Sequence, residues 1–170
     1  MIFRFLIILI TIFPLKSLAL IEVDITRGNL NPLPMAVSPL SMDKSSKKEF
    51  KSILKQDDLG SKISEIVENN LKQSGLFNPL NKDAFLQKPD IAHLKPRFED
   101  WALIKAQALI TGKVTYADEK LRVEFRLWDV LAAKEIMALA FTTVPSNWRR
   151  VGHIITDKVY ERLTGEKGYF

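Results

Sequence analysis

The sequence predicts a two-layer α/β or α+β domain in which a mixed sheet packs against helices. Three observations carry that expectation. Apolar residues recur at three- and four-residue spacing in two distant stretches, Ile63, Ile66, Val67 and Leu71, then Trp148, Val151, Ile154, Ile155, Val159 and Leu163. This is the period of a helix with one buried face. Between them Leu121, Val123, Phe125 and Leu127 alternate with Arg122, Glu124 and Arg126, the period of a half-buried strand. Ahead of all these, Pro32 and Pro34 exclude helix and leave room only for short extended pieces.

Residues 1–19 read as a leader rather than as part of the domain. Arg4, an apolar run from Phe5 to Phe13, Pro14 and the small residues Ser17 and Ala19 form a secretory signal peptide, with cleavage expected after Ala19. The run is about half the ~20 residues that span a bilayer, so no stable membrane anchor is expected. The remaining chain, roughly 150 residues, suits one domain that buries its own core. There is no cysteine, which excludes disulfides, a thiolate nucleophile and a soft-metal site. The formal charge is +5, less once Arg4 and Lys16 leave with the leader, and too mild to argue for nucleic acid.

Taken in order, Ile21 to Ile25 and Met35 to Ser38 are the first extended pieces, separated by Arg27-Gly28-Asn29 and the two prolines. Ser41 to Gln56 is rich in lysine (Lys44, Lys47, Lys48, Lys51, Lys55), with Phe50, Ile53 and Leu54 its few apolar residues. It reads as a surface loop with one amphipathic turn, its charge run a solvated face or a partner-binding patch. Asp57 and Asp58 supply the cap and first-turn acid of the first long helix, and Ser74-Gly75 ends it. Leu76 to Leu80, with Pro79, is a connection or edge strand, and the segment through Pro89 and Pro96 is irregular. A short helix over Arg97 to Lys105 puts Phe98 and Trp101 into the core. Three strands follow. The first runs from Gln107 to Thr115, the second carries the alternation around Leu121 to Leu127, and the third, from Glu135 to Val144, is apolar on both sides. That last pattern predicts a strand covered on both faces. Their closeness in sequence favours antiparallel hairpins. The closing helix opens at Pro145-Ser146-Asn147 and stops at Thr164-Gly165.

Catalytic chemistry is hard to assemble from these residues. Two histidines, His93 and His153, without cysteine cannot build a structural zinc site. His153 and Asp157, four apart on the last helix, could orient an imidazole beside Ser146 or Thr156, but the same spacing is that of an ordinary helix-surface pair. No glycine-rich phosphate loop is present. Trp128 and Trp148 with Arg149 and Arg150 could form a stacking platform, or Trp148 could pack at the helix start with the arginines in water. The expectation is an interaction module with no catalytic residue, no metal and no cofactor.

Longer stretches say more. Ile25-Thr26-Arg27-Gly28, Pro34 to Leu40, Leu71 to Leu80 with its Ser-Gly-x-Phe-x-Pro-Leu, Trp101, Gly112-Lys113-Val114, Leu127-Trp128-Asp129 and Trp148 to Phe170 with its closing Leu-Thr-Gly-x-Lys-Gly-x-Phe follow one another in order. Together they resemble the amino-terminal domain of the TolB family, over essentially the whole chain after the leader. The resemblance implies a mixed sheet of about five strands and two main helices, similar to the anticodon-binding type of fold. It also implies a periplasmic place in the Tol-Pal cell-envelope system, with a role in outer-membrane integrity and constriction during division. In that family the first residues of the mature protein tuck against the body or extend to bind TolA. Carried over, that segment is 20–31, with Ile21, Glu22, Val23, Asp24, Ile25, Thr26 and Arg27 as partner-binding residues. The TolB pattern continues into a six-bladed β-propeller that binds Pal. The sequence here ends at Phe170, so Pal is expected only through a propeller on a separate chain, with Tyr169 and Phe170 as a possible docking point. The alternatives are a related outer-membrane or surface-organelle assembly factor and a remnant of a split TolB.

Overall fold

The computed structural model describes residues 21–23 and 31–170. Strand β1 (Leu33–Val37) and the two-residue β2 (Ser41–Met42) precede helices α1 (Lys44–Leu54) and α2 (Leu59–Gln73). Edge strand β3 (Phe77–Pro79) leads through a 3-10 turn at Lys82–Ala84 to two short helices, α3 (Pro89–Ala92) and α4 (Phe98–Leu103). Strands β4 (Ala108–Ala117), β5 (Lys120–Asp129) and β6 (Lys134–Thr143) form a meander, and α5 (Trp148–Thr164) closes the domain.

The result is a mixed six-stranded sheet in the order β3-β1-β4-β5-β6, with β2 beside β4. β1 runs parallel to both β3 and β4, while β4, β5 and β6 are antiparallel. Asp118 and Glu119, both at positive φ (50° and 60°), make the β4–β5 turn, a geometry whose twist matches that of the flanking strands. The alternation read along β5 holds: Leu121, Val123, Phe125 and Leu127 are buried, and they share the main core with Phe50, Ile63, Val67, Leu71, Val151, Ile155 and Val159. A second, smaller core lies on the other face, where Trp101, Ala92 and Ala106 cover Ala36, Leu109 and Val130. Gln87, itself buried, organises that side. Its Oε1 accepts from Arg97 N (2.9 Å) and Trp101 Nε1 (3.1 Å), and its Nε2 donates to Lys95 O (3.0 Å).

Two expectations are corrected. Residues 41–56 are not a loop with a single turn. They form β2 and the eleven-residue α1. Asp43 caps α1, its Oδ1 accepting from Ser46 N (2.8 Å) and its Oδ2 from Ser46 Oγ (3.0 Å). One residue anchors the buried face, because Phe50 is fully buried edge-on against Tyr116 (ring centroids 5.4 Å apart). Ser46 Oγ adds to this by accepting from Tyr116 N (2.9 Å), so few apolar residues suffice. The second correction is β6, which lies at the sheet edge and has no fully buried residue. Ala138 and Ala140 stand opposite Arg126 and Glu124, on the solvated face of β5, and small side chains there need no cover. Met137 and Phe141 lean on the main core from the other face.

The start of α2 presses closely on the chain between β1 and β2. Ser64 Oγ accepts from Leu40 N (3.0 Å) and donates toward Ser38 O (3.1 Å), and a Cβ at Gly60 would lie 2.0 Å from Leu40 O. Gly60→Ala is therefore expected to lower the unfolding free energy by at least ~2 kcal/mol in a denaturant titration, since a rigid backbone oxygen cannot yield. The cap of α1 gives a second prediction. Its hydrogen bond from Ser46 N, aided by Ser46 Oγ and the Lys113 charge, holds the Asp43 carboxyl below its ordinary value. A depressed carboxyl contributes stability that is present above its unfolded-state pKa and lost as pH falls through the folded one. Protection factors for the amides in the first turn of α1, corrected for intrinsic exchange, should fall in acid below the usual aspartate range, and Asp43→Ala should remove that fall.

Candidate partner-docking site

The terminal segment of the domain lies along the last helix. Ile21 and Val23 point inward and Glu22 outward, the alternation of an extended chain. Val23 is 4% exposed and belongs to the main core. Its N–H donates to Leu163 O (2.8 Å) at the end of α5, and Ile21 N donates to Asp129 Oδ2 (3.2 Å) at the end of β5. Asp129 is buried and its other oxygen accepts from Ala132 N (2.8 Å) in the β5–β6 turn. One carboxylate thus holds both a turn and the backbone at Ile21. Asp24, Ile25, Thr26 and Arg27 lie outside the described residues.

Beside this segment runs a groove of about 450 Å³ lined by Ile21, Glu22, Met137, Lys158, Glu161 and Arg162. Its floor is the seam between α5 and β6, closed by Arg162 Nε donating to Ile136 O (3.3 Å). Lys158 and Glu161 pair on the helix surface (2.8 Å), a hydrogen-bonded contact that raises the lysine pKa and lowers that of the glutamate. Gly165 ends α5 in the left-handed conformation (φ 77°), and the chain folds back along the helix. A Cβ at Gly168 would meet Asp157 Cα at 2.4 Å, and Phe170 N donates to Asp157 Oδ1 (2.9 Å). Phe170 packs against the core, whereas Tyr169, stacked on it at 4.6 Å, is 68% exposed. Tyr160 sits beneath both rings, and its burial, followed by the neighbouring Tyr169 and Glu166, raises its pKa.

The other candidates separate. His153 does not face Asp157. Asn70 Nδ2 donates to His153 Nδ1 (2.9 Å) and to Thr156 Oγ1 (3.2 Å), tying α2 to α5, while Asp157 holds the C-terminal turn-back. Trp128 belongs with the smaller core, where its Nε1 donates to Thr111 Oγ1 (2.9 Å). Trp148 belongs with the main core, with the Arg149 guanidinium 4.2 Å from its ring centre. The two indoles lie on opposite faces of the sheet and form no platform. Among the described residues no group of three or more His, Asp or Glu could hold a metal ion, and no helix is long and apolar enough to cross a membrane. Sequence reasoning missed Asp129 as the anchor of the terminus. Its partner Ile21 is 108 residues away, and the only local signal was an Asp at the head of a turn.

Asp129→Asn isolates that anchor. An asparagine retains one acceptor, which the local turn takes, and turns an amide N–H₂ toward Ile21 N. Exchange at the Ile21 and Val23 amides should rise by up to ~5-fold, the loss of about 1 kcal/mol, with the β5–β6 turn unchanged.

Comparison with known proteins places this geometry. Residues 21–136 match the TolB amino-terminal domain. The Tol-Pal system protein TolB of Pelagibacter ubique (strain HTCC1062) is 81% identical over all 170 residues, which make up 38% of that protein. The crystal structure of TolB from Acinetobacter baumannii aligns with a TM-score of 0.63 at 22% identity, over 81% of this chain and 30% of that one, and so shares the fold. This chain therefore spans well under half the length of these relatives, and it belongs to the TolB amino-terminal domain family.

Proposed function

We propose that the domain is a periplasmic protein-interaction module of the Tol-Pal cell-envelope system that binds TolA through residues 20–31, and that it supports outer-membrane integrity and constriction during division. The observation that carries this reading is the docking of Ile21 to Val23. An extended segment with alternating apolar side chains is held by one carboxylate and one carbonyl. A segment of that form adds readily to the edge of a partner's sheet, where main-chain hydrogen bonds supply affinity and alternate side chains supply specificity. In this reading Ile21, Val23 and Ile25 are the specificity residues, with Arg27 next on the same side, and Glu22, Asp24 and Thr26 line the opposite side of the added strand. The leader over residues 1–19 delivers the domain to the periplasm. No reaction and no cofactor is assigned to it. Tyr169, exposed at the turn-back, is the contact offered to a following or separate propeller, and Pal is reached only through that propeller.

The reading is tested by calorimetric titration of the domain with the carboxy-terminal domain of TolA. Binding should vanish when residues 20–31 are removed. Because the tucked form competes with TolA, Asp129→Asn should tighten the apparent affinity by up to about 5-fold, the limit reached when the tucked form predominates. Binding that survives the deletion, or an absence of binding by the intact domain, would sink it.

A further inference from the structure

The lysines of α1 have no part in that function, yet their arrangement is specific. Lys44, Lys48, Lys51 and Lys55 follow one another at spacings of four, three and four, and Lys47 flanks them. At about 100° per residue the four helical lysines, Lys44, Lys47, Lys48 and Lys51, fall within an arc of roughly 100° on one side of the helix, and Lys55 follows as its left-handed C-cap (φ 57°). Ser46 and Phe50 face the sheet from another side, and Glu49, the one acid within α1, lies well off the lysine stripe. All five lysines are exposed. Among the described residues only Lys51 meets a carboxylate, Asp57 at 2.9 Å, with both side chains about 70% exposed, where a single pair is weak. Lys55 Nζ donates to Ser52 O (3.1 Å).

We infer that this stripe is an electrostatic docking surface for a bilayer of anionic phospholipid. Four to eight cations on one face of an amphipathic helix suit a fluid sheet of negative headgroups that can rearrange beneath fixed charges. A protein partner fits less well, because stable protein interfaces are depleted in lysine and built around apolar anchors. A nucleic acid would call for interleaved aromatics, and the stripe has none. Phe50 and Leu54 of α1 already pack on Tyr116 and the core, and the exposed Ile53 lies on the side away from the lysines, so the helix lies on the surface without inserting.

Placement adds a second argument. α1 sits over Tyr116 at one end of β4, whereas the terminal segment is anchored at Asp129, which pairs with Ala108 at the other end. Eight residues of strand separate these points, roughly 26 Å. A domain held to a membrane by α1 therefore keeps Ile21 to Val23 on its far side, free for a partner.

The test is sedimentation of the full chain with phosphatidylcholine vesicles, with and without phosphatidylglycerol. A retained apolar leader binds both kinds, so the readout is the ratio between them. The intact chain should prefer the anionic vesicles and lose that preference at roughly 0.5 M NaCl, where screening acts over about 4 Å. Lys44→Gln/Lys48→Gln/Lys51→Gln/Lys55→Gln should cut the preference by up to roughly 600-fold, at about fivefold per lysine. Lys134→Gln/Lys167→Gln, away from the stripe, should keep most of it. Equal binding to both vesicles, or equal losses in the two variants, would overturn the proposal. So would retention on immobilised polyglutamate that the quadruple variant abolishes without any vesicle preference, which would assign the stripe to an acidic protein.

Discussion

The close approach of α2 and α5 sets the rest of the domain. A Cβ at Gly152 would lie 2.9 Å from Ile66 Cγ2, so the absence of a side chain there lets Ile66 seat directly on the facing helix. Above that contact the Asn70 amide donates to Thr156 Oγ1 and His153 Nδ1, while Thr156 Oγ1 donates to Gly152 O (2.9 Å). The threonine proton is committed to the helix backbone, so its oxygen must accept, and this fixes which end of the asparagine amide faces α5. Buried polar groups of this kind cost free energy unless paired. Here the pairing registers one helix against the other, and the two together roof the main face of the sheet.

Residues 21–23 and the last residues of the domain both rest on α5. Its last carbonyls hold Val23, its Asp157 receives the amide of Phe170, and its Tyr160 packs against Tyr169, Phe170 and Phe77. Both termini of the domain therefore converge on the C-terminal half of one helix, while α1 and its lysines stand by the opposite end, next to Pro145–Asn147. Local changes at the convergence can reach both termini without passing through the sheet.

What was legible beforehand followed periodicity. The stripes of α2 and α5 and the alternation of β5 each engage many side chains in one physical task, and their boundaries held within a few residues. The fold class followed from them, and the TolB resemblance supplied the family. α1 was illegible because its buried face is little more than Ser46 and Phe50, so the signal lay in a cap and a hydroxyl rather than in hydrophobic count. β6 misled because sequence composition reports apolarity and says nothing of strand order. Methionine, leucine and phenylalanine on an edge strand look like those of a central one. Asp129 acts across more than a hundred residues, a relation that no local pattern encodes.

The terms that hold the terminal segment in place nearly offset one another. Burying Val23 contributes about 1.5–3 kcal/mol and the half-buried Ile21 about half as much. Two hydrogen bonds add roughly 1–3 kcal/mol net. Against this, ordering the backbone of three residues costs about 3–6 kcal/mol. Gain and cost cancel to within a few kcal/mol, whereas the core strands gain from neighbours on both sides. A partner edge that supplies a full ladder of main-chain bonds to the same residues needs only a small surplus to draw them out. The domain loses little when they leave, because the helix pair and the sheet are closed without them.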